Sequence, residues 1–173
     1  MATDEALAQQ LKRGDRTALA VLVERHYDSL LGYLYRLVRG NRPLAQDLAQ
    51  ETFLRALRGI GGYDDARPFK PWLYAIATNL ARNHYASADT RYTDNPANDT
   101  EYGIADAPDA ALLESDAARE VIAALDLLPD HQREVIVLYF YQSLSLQAIA
   151  DTLAIPLGTV KSRLSIGVKR LRE

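Results

Sequence analysis

The chain has no cysteine, one methionine, one tryptophan and only three histidines. Without thiols there is neither a disulfide nor a thiolate metal ligand, and His26, His84 and His131 are scattered with no metal-ligand spacing. No apolar run reaches membrane-spanning length, so no membrane insertion is expected. The N-terminal stretch MATDEALAQQLKRGD contains acidic residues and no signal-peptide core. Together with a thiol-free composition suited to a reducing compartment, this makes the cytoplasm the expected location. A glycine-rich nucleotide loop, a nucleophile arrangement and a metal cluster are missing as well, so neither a cofactor nor a catalytic activity is expected.

What remains is an ordinary globular composition: 173 residues, 48% hydrophobic and 25% charged, enough for one domain or two small ones. The net charge of −3 is unevenly distributed along the chain. Residues 1–87 carry 12 Lys or Arg against 9 Asp or Glu, residues 88–114 carry 1 against 7, and residues 115–173 balance at 7 each. The middle segment, ADTRYTDNPANDTEYGIADAPDAALLE, is rich in Asp, Asn, Ala and Pro and poor in large apolar residues. That is a linker composition. The expected fold is all-α: two small helical domains joined by an acidic flexible linker.

The C-terminal run SLQAIADTLAIPLGTVKSRLSIGVKRLR, Ser145 to Arg172, has the spacing of a helix-turn-helix. Ser145 can cap a short helix with Leu146, Ile149, Ala150 and Leu153 inward, and Ala154 leaves room for a close turn. Pro156 and Gly158 break the chain, and Thr159 opens a second helix with Val160, Leu164, Val168 and Leu171 as its buried stripe. A helix reads the major groove through its outer face and N-terminal turn. Thr159, Lys161, Ser162 and Arg163 occupy that turn, while Lys169, Arg170 and Arg172 lie where they can contact the DNA backbone or simply be solvated. An ordinary amphipathic helix with a basic face is the plainer reading. The small residues Ala150 and Ala154, with Val160 at the matching place in the second helix, argue against it.

The first half reads as helices throughout. Asp15 can cap one with the stripe Ala18, Val21, Leu22, Leu30, Leu31, Leu34, Tyr35 and Val38, ended by Gly40. Pro43 sits near the first turn of the next, which runs to about Arg58. After the loop YDDARPFK, Pro71 introduces a third, from Trp72 to about Tyr85, with Trp72, Leu73, Ile76 and Leu80 as its core candidates. Beyond the linker, Ser115 or Asp116 starts a helix stopped by Pro129, and Asp130 begins another with Val135, Leu138 and Tyr139 inward. In DLAQETFLRAL, the like charges Asp47 and Glu51 share one face at i, i+4, a mildly unfavourable pairing of about 0.2–0.5 kcal/mol. A basic docking partner would relieve it; a solvated face is the alternative.

Three blocks, PLAQDLAQETFLRAL (43–57), RPFKPWLYAIATNLARNH (67–84) and LPDHQREVIVLYFYQSLSLQAIADTLAIPLGTVKSRL (128–164), resemble in order and separation the extracytoplasmic-function (ECF) sigma factors of the sigma-70 family. The resemblance implies a bacterial RNA polymerase specificity subunit with a sigma-2-like domain at 10–87, the linker at 88–114 and a sigma-4-like domain at 115–173. It assigns Asp47, Gln50, Glu51, Phe53 and Arg55 to the clamp of the largest core polymerase subunit, and the sigma-4-like domain to the flap of the second. Phe53 also reads as core. The block from Tyr63 to His84 would read the minus-10 element as single-stranded DNA, for which aromatic stacking is worth about 1–3 kcal/mol per base. Tyr63, Phe69, Trp72 and Tyr74 are the aromatic candidates, Trp72 more as structure. Tyr63, Arg67, Lys70, Asn79, Arg82 and Asn83 are the minus-10 set, and Asn79 and Asn83 match positions lining a flipped-base pocket. Ser145, Thr159, Lys161, Ser162, Arg163 and Arg170 are the minus-35 set, with Ser145 near phosphate.

The resemblance further implies an anti-sigma factor as partner. The chain departs from the family where NHYASADTRYTDNP offers only Arg91 in place of a basic run, which implies weaker duplex contacts upstream of the melted segment. The acidic linker suits a path along the polymerase's basic RNA channel as well as it suits a solvated spacer. Two other functions compete: a helix-turn-helix regulator that binds duplex DNA without acting as a sigma subunit, and a sigma-like scaffold that binds only a regulatory protein. Polymerase binding by the first domain separates these from the sigma reading.

Overall fold

The computed structural model describes residues 1–91 and 115–173, with side chains described for 1–87 and 115–173. The acidic segment, including the Arg91 side chain, therefore lies outside the described residues apart from the backbone of its first four. Among the described residues every regular element is helical. The first domain comprises α1 (Asp4–Lys12), α2 (Thr17–Leu37), α3 (Arg42–Gly59), a 3-10 turn (Ile60–Gly62) and α4 (Phe69–Arg91). The second comprises α5 (Asp116–Asp126), α6 (Asp130–Phe140), α7 (Leu146–Leu153) and α8 (Leu157–Arg172).

The helix starts follow local chemistry. Thr3, Asn41, Ser115 and Ser145 are extended residues whose side-chain oxygens accept the amides of Ala6, Leu44, Ala118 and Ala148, satisfying donors that have no partner within the helix. Pro43 and Pro71 stand in first turns, where a missing N–H has no consequence. Asp15 behaves differently from the expected cap: its carboxylate accepts from Thr17 N at 3.0 Å and Thr17 Oγ1 at 2.6 Å, and α2 begins two residues later. The second helix of the helix-turn-helix begins at Leu157, before Thr159, because the Pro156 carbonyl already accepts from Thr159 and Val160.

In the first domain α2 packs against α3 and α4 around the fully buried Leu22, Leu30, Leu34, Leu73 and Tyr74, and α1 lies along α2 through Leu7, Ala8 and Leu11. In the second, α6 and α8 pack closely around Val135, Leu138, Ile149 and Val160. Gly167 is what allows that approach, since a Cβ there would stand 3.1 Å from Ile136 Cγ1. Two residues expected inward face out: Tyr139 and Leu171 are 39% and 37% exposed, each in the last turns of its helix beyond the packed stretch.

The two domains meet. Gln142, just after α6, is the hub: its amide oxygen accepts from Ser29 Oγ and Tyr74 Oη, both at 2.7 Å, and its backbone carbonyl accepts from Lys70 Nζ at 2.8 Å. Glu134 of α6 takes both arms of the Arg82 guanidinium, at 2.9 and 2.6 Å. Arg39, at the end of α2, pairs with Asp126 at 2.9 Å.

Candidate polymerase and DNA interfaces

The periodicity of α3 separates two faces. Ala45, Leu48, Ala49, Thr52, Phe53 and Ala56 are buried, while Asp47, Gln50, Leu54, Arg55 and Arg58 are exposed and Glu51 is partly so. Phe53 is thus withdrawn from the expected docking set: it is 8% exposed, with its ring stacked on Tyr27 at 6.4 Å. Leu54, 42% exposed, takes the apolar place on that face, at helical spacing with the exposed Asp47, Gln50 and Arg58, whereas Phe53 falls in line with the buried Ala45, Ala49 and Ala56. Glu51 finds counter-ions on its own helix, Arg55 at 3.3 Å and Arg58 at 3.9 Å, which eases the Asp47–Glu51 repulsion without a partner. Arg58 is a second residue that the motif did not flag.

The loop 63–68 and α4 form the next surface. Tyr63, Phe69 and Tyr74, expected as aromatic platforms, are 2%, 2% and 0% exposed and cannot stack on a base as they stand. They build the support instead: Tyr63 lies 5.7 Å from Phe69 edge-on and 5.0 Å from Trp72, and only Trp72 of the four is partly open. Burial pushes the Tyr63 and Tyr74 phenols up to about 12, so both stay neutral donors. On the outer surface Asn79 and Asn83 are exposed one helical turn apart, and Arg67 is exposed on the loop within 3.7 Å of Asp64. Lys70 and Arg82 are engaged by the second domain. Burial lowers the Lys70 pKa, whereas the paired Glu134 carboxylate raises that of Arg82.

In the helix-turn-helix, Ala154 closes α7 in the left-handed region (φ 54°, ψ 47°), which redirects the chain into Pro156 and α8. Lys161, Ser162 and Arg170 are exposed, and Thr159 and Arg163 are half-buried. Ser145 Oγ accepts the Ala148 amide at 3.1 Å, so capping uses its acceptor and leaves its proton for another group. Lys161, Lys169 and Arg172 border a shallow groove of about 430 Å³ along α8, a cationic surface continuous with the helix N-terminus. Across the domain junction a wider groove of about 820 Å³ has Arg67 and Trp72 on one wall and Ser145 and Gln147 on the other. Of the expected DNA-contacting residues, Tyr63 and Arg67 thus share this groove with Ser145.

Residues 22–91 match Sigma-70 region 2 and residues 124–173 match Sigma-70, region 4. The ECF RNA polymerase sigma factor SigW of Bacillus subtilis is 36% identical, over 95% of this chain and 92% of its own. The chain belongs to the ECF sigma factors of the sigma-70 family. Among solved structures, CnrH in complex with the cytosolic domain of CnrY superposes with a TM-score of 0.74 at 27% identity, over 98% of this chain and 94% of that one. An engineered region 2 of sigmaE in complex with GTAAAA superposes with a TM-score of 0.50 at 31% identity, over 54% of this chain and 96% of that one. As an ECF sigma factor the protein is a transcription initiation specificity subunit. A helix-turn-helix regulator accounts for the region-4 half and leaves residues 22–91 unexplained. No helix among the described residues is long and apolar enough to cross a membrane.

Proposed function

We propose that this ECF sigma factor docks on core RNA polymerase through the exposed face of α3, captures the minus-10 element as single strand on α4, and reads the minus-35 element as duplex with α8. On α3 the docking set is Asp47, Gln50, Glu51 and Arg55 around Leu54, an apolar contact with a charged rim. On α4 the readers are Asn79 and Asn83, whose amides pair with base edges, with Arg67 and, once released, Lys70 and Arg82 for phosphates. The observation that carries the reading is the exposed Asn79–Asn83 pair on a helix whose region-2 relative is solved with GTAAAA.

Strand opening follows energetically. Each base taken from the stack loses neighbours, and each hydrogen bond from Asn79 or Asn83 to a captured base returns about 0.5–1.5 kcal/mol, which favours the open form only where the sequence fits. On α8, Thr159, Lys161, Ser162 and Arg163 face the major groove, and a bidentate cation–guanine contact there is worth about 1–3 kcal/mol of discrimination. Ser145, Lys169 and Arg170 set register on phosphates. The polymerase performs the chemistry. The second-subunit flap is the expected site for the region-4 domain, the cytoplasm the expected location, and an anti-sigma factor the expected partner.

The test is transcription from a promoter pool by bacterial core polymerase with this protein or its Glu51→Arg variant. Transcripts sharing two upstream motifs, lost with the variant, are the expected result. Retained duplex binding with no core binding and no transcripts would overturn the reading.

A further inference from the structure

Helix α1 precedes the residues matched to region 2, and no role has so far been given to its polar face. Its apolar face explains its attachment to α2, with Leu7, Ala8 and Leu11 at 5%, 0% and 6% exposure. Three polar side chains of α1, those of Glu5, Gln9 and Lys12, converge on one target, the loop between the 3-10 turn and α4. Lys12 Nζ donates to the Tyr63 carbonyl and stands 5.7 Å over the Tyr63 ring. Gln9 donates to the Asp65 carboxylate, which lowers the Asp65 pKa. Glu5 Oε1 accepts the Phe69 amide at 3.0 Å. The loop is therefore held at its start, its middle and its end by three residues of a single helix.

The Glu5 contact is specific in kind. Phe69 N–H is the first donor of α4 and has no partner within that helix, so Glu5, 64 residues away in sequence, does what a local cap does elsewhere. A carboxylate at a helix N-terminus also opposes the positive end of the helix dipole. Asp4 closes the arrangement by binding His26 Nε2 at 2.8 Å and Arg25 Nη1 at 3.0 Å, with the His26 ring 5.7 Å from Phe69.

We infer that Glu5, Gln9 and Lys12 are positioning residues for single-strand capture: without touching DNA they hold the 63–69 loop in one conformation beside Trp72 and Ala75, one helical turn before Asn79 and two before Asn83. The inference rests on the minus-10 reading above. Its physical basis is preorganisation, because ordering a loop costs conformational entropy and a loop already ordered does not draw that cost from binding. It also accounts for the buried Tyr63 and Phe69, which anchor the loop from below while α1 anchors it from the side.

The experiment uses the full chain and a pool of short randomised single-stranded DNA, with the bound fraction sequenced, alongside core polymerase binding and thermal unfolding. The variants are Glu5→Ala, Glu5→Gln, Gln9→Ala and Lys12→Ala. Gln9 and Lys12 are exposed, so their truncation leaves the domain folded. The expected result is that Glu5→Ala and Lys12→Ala bind the sequence selected by the wild type about fivefold to tenfold more weakly, the scale of one ordinary net hydrogen bond. Their base preferences flatten while core binding is unchanged, and Glu5→Gln, which keeps an acceptor for Phe69 N–H, restores the preference. If the wild type selects a sequence and the alanine variants select it as sharply, the inference fails and the minus-10 reading stands. If the wild type selects no sequence, both fail together.

Discussion

Arg133 is 1% exposed, an unusual place for a guanidinium, and every bond it makes explains why it is there. Its Nε donates to the Leu125 carbonyl at 2.9 Å, Nη2 to the Leu128 carbonyl at 2.7 Å and Nη1 to Asp130 at 2.8 Å, tying the end of α5 to the start of α6. Arg133→Met fills the space but orphans the buried Leu128 carbonyl and leaves the Leu125 carbonyl only the Leu128 amide at 3.0 Å. A loss of about 1–3 kcal/mol in unfolding free energy is expected by denaturant titration, the cost of one orphaned group. Arg133→Lys recovers little, because an ammonium cannot present the fork that reaches both carbonyls. Ala154 gives the opposite sign: at φ 54° its Cβ is strained, and Ala154→Gly removes a penalty of about 1 kcal/mol, so the unfolding midpoint rises. Single residues are the scale least legible in the sequence. Ala154 was readable as a small residue at a tight turn, but its left-handed backbone was not. Phe53 and Leu54 are adjacent and both apolar, and it is the register of α3, with Ala45, Ala49 and Ala56 buried in line with Phe53, that turns Phe53 inward against Tyr27.

Elements were legible where an apolar stripe, a capping residue or a proline or glycine break marked them. That covers α2 to α8, including the eight-residue α7, which the Ser145 cap and Pro156 bracket. Helix α1 escaped, although its signals are present: Thr3 as cap, Asp4 and Glu5 in the first turn, and Leu7, Ala8 and Leu11 on one side. A nine-residue helix is marginal by itself, so its existence depends on docking against α2, which no local pattern displays. The closeness of α6 and α8 is likewise a tertiary fact, held open by the missing side chain of Gly167. Gly167→Val places branched carbons against Ile136, whose Cδ1 would be 3.2 Å from the new Cβ. Overpacking of this kind costs about 1–3 kcal/mol. The expected outcome in thermal unfolding is a lower midpoint for the region-4 domain, with weaker duplex binding as α8 shifts, whereas a midpoint equal to the wild type would show that α8 can move without loss.

For the molecule as a whole, bipartite recognition conflicts with the packed arrangement of the two domains. Elements named for positions about 25 base pairs apart are separated by ~85 Å of duplex at 3.4 Å per pair. A compact chain of this length spans only about 40 Å. The domains must therefore part on a promoter, and the bonds that hold them include those of Gln142 with Ser29, Tyr74 and Lys70, of Arg82 with Glu134 and of Arg39 with Asp126. Parting frees Lys70 and Arg82, so opening and DNA capture favour each other, and a ligand that binds only the open form shifts the population toward it. The junction also has a pH dependence. The Tyr74 phenol, donor to Gln142, is raised from 10 to about 12 by burial, so its neutral form is the one the closed state favours. Its contribution is complete below pH 10 and is lost as the pH rises through about 12, where an exposed tyrosine ionises first. Because the chain has no cysteine, Glu24→Cys on α2 and Glu173→Cys after α8 give two unique sites for a fluorescent pair. Energy transfer is expected to be high in the free protein, to fall on adding core polymerase and promoter duplex, and to fall partway in Gln142→Ala with Glu134→Gln. The same double variant should bind single-stranded DNA more tightly, since Arg82 no longer has to leave a carboxylate for a phosphate. Transfer that stays high on the promoter would mean that one compact body reads both elements, which the duplex length does not permit without a sharp bend in the DNA.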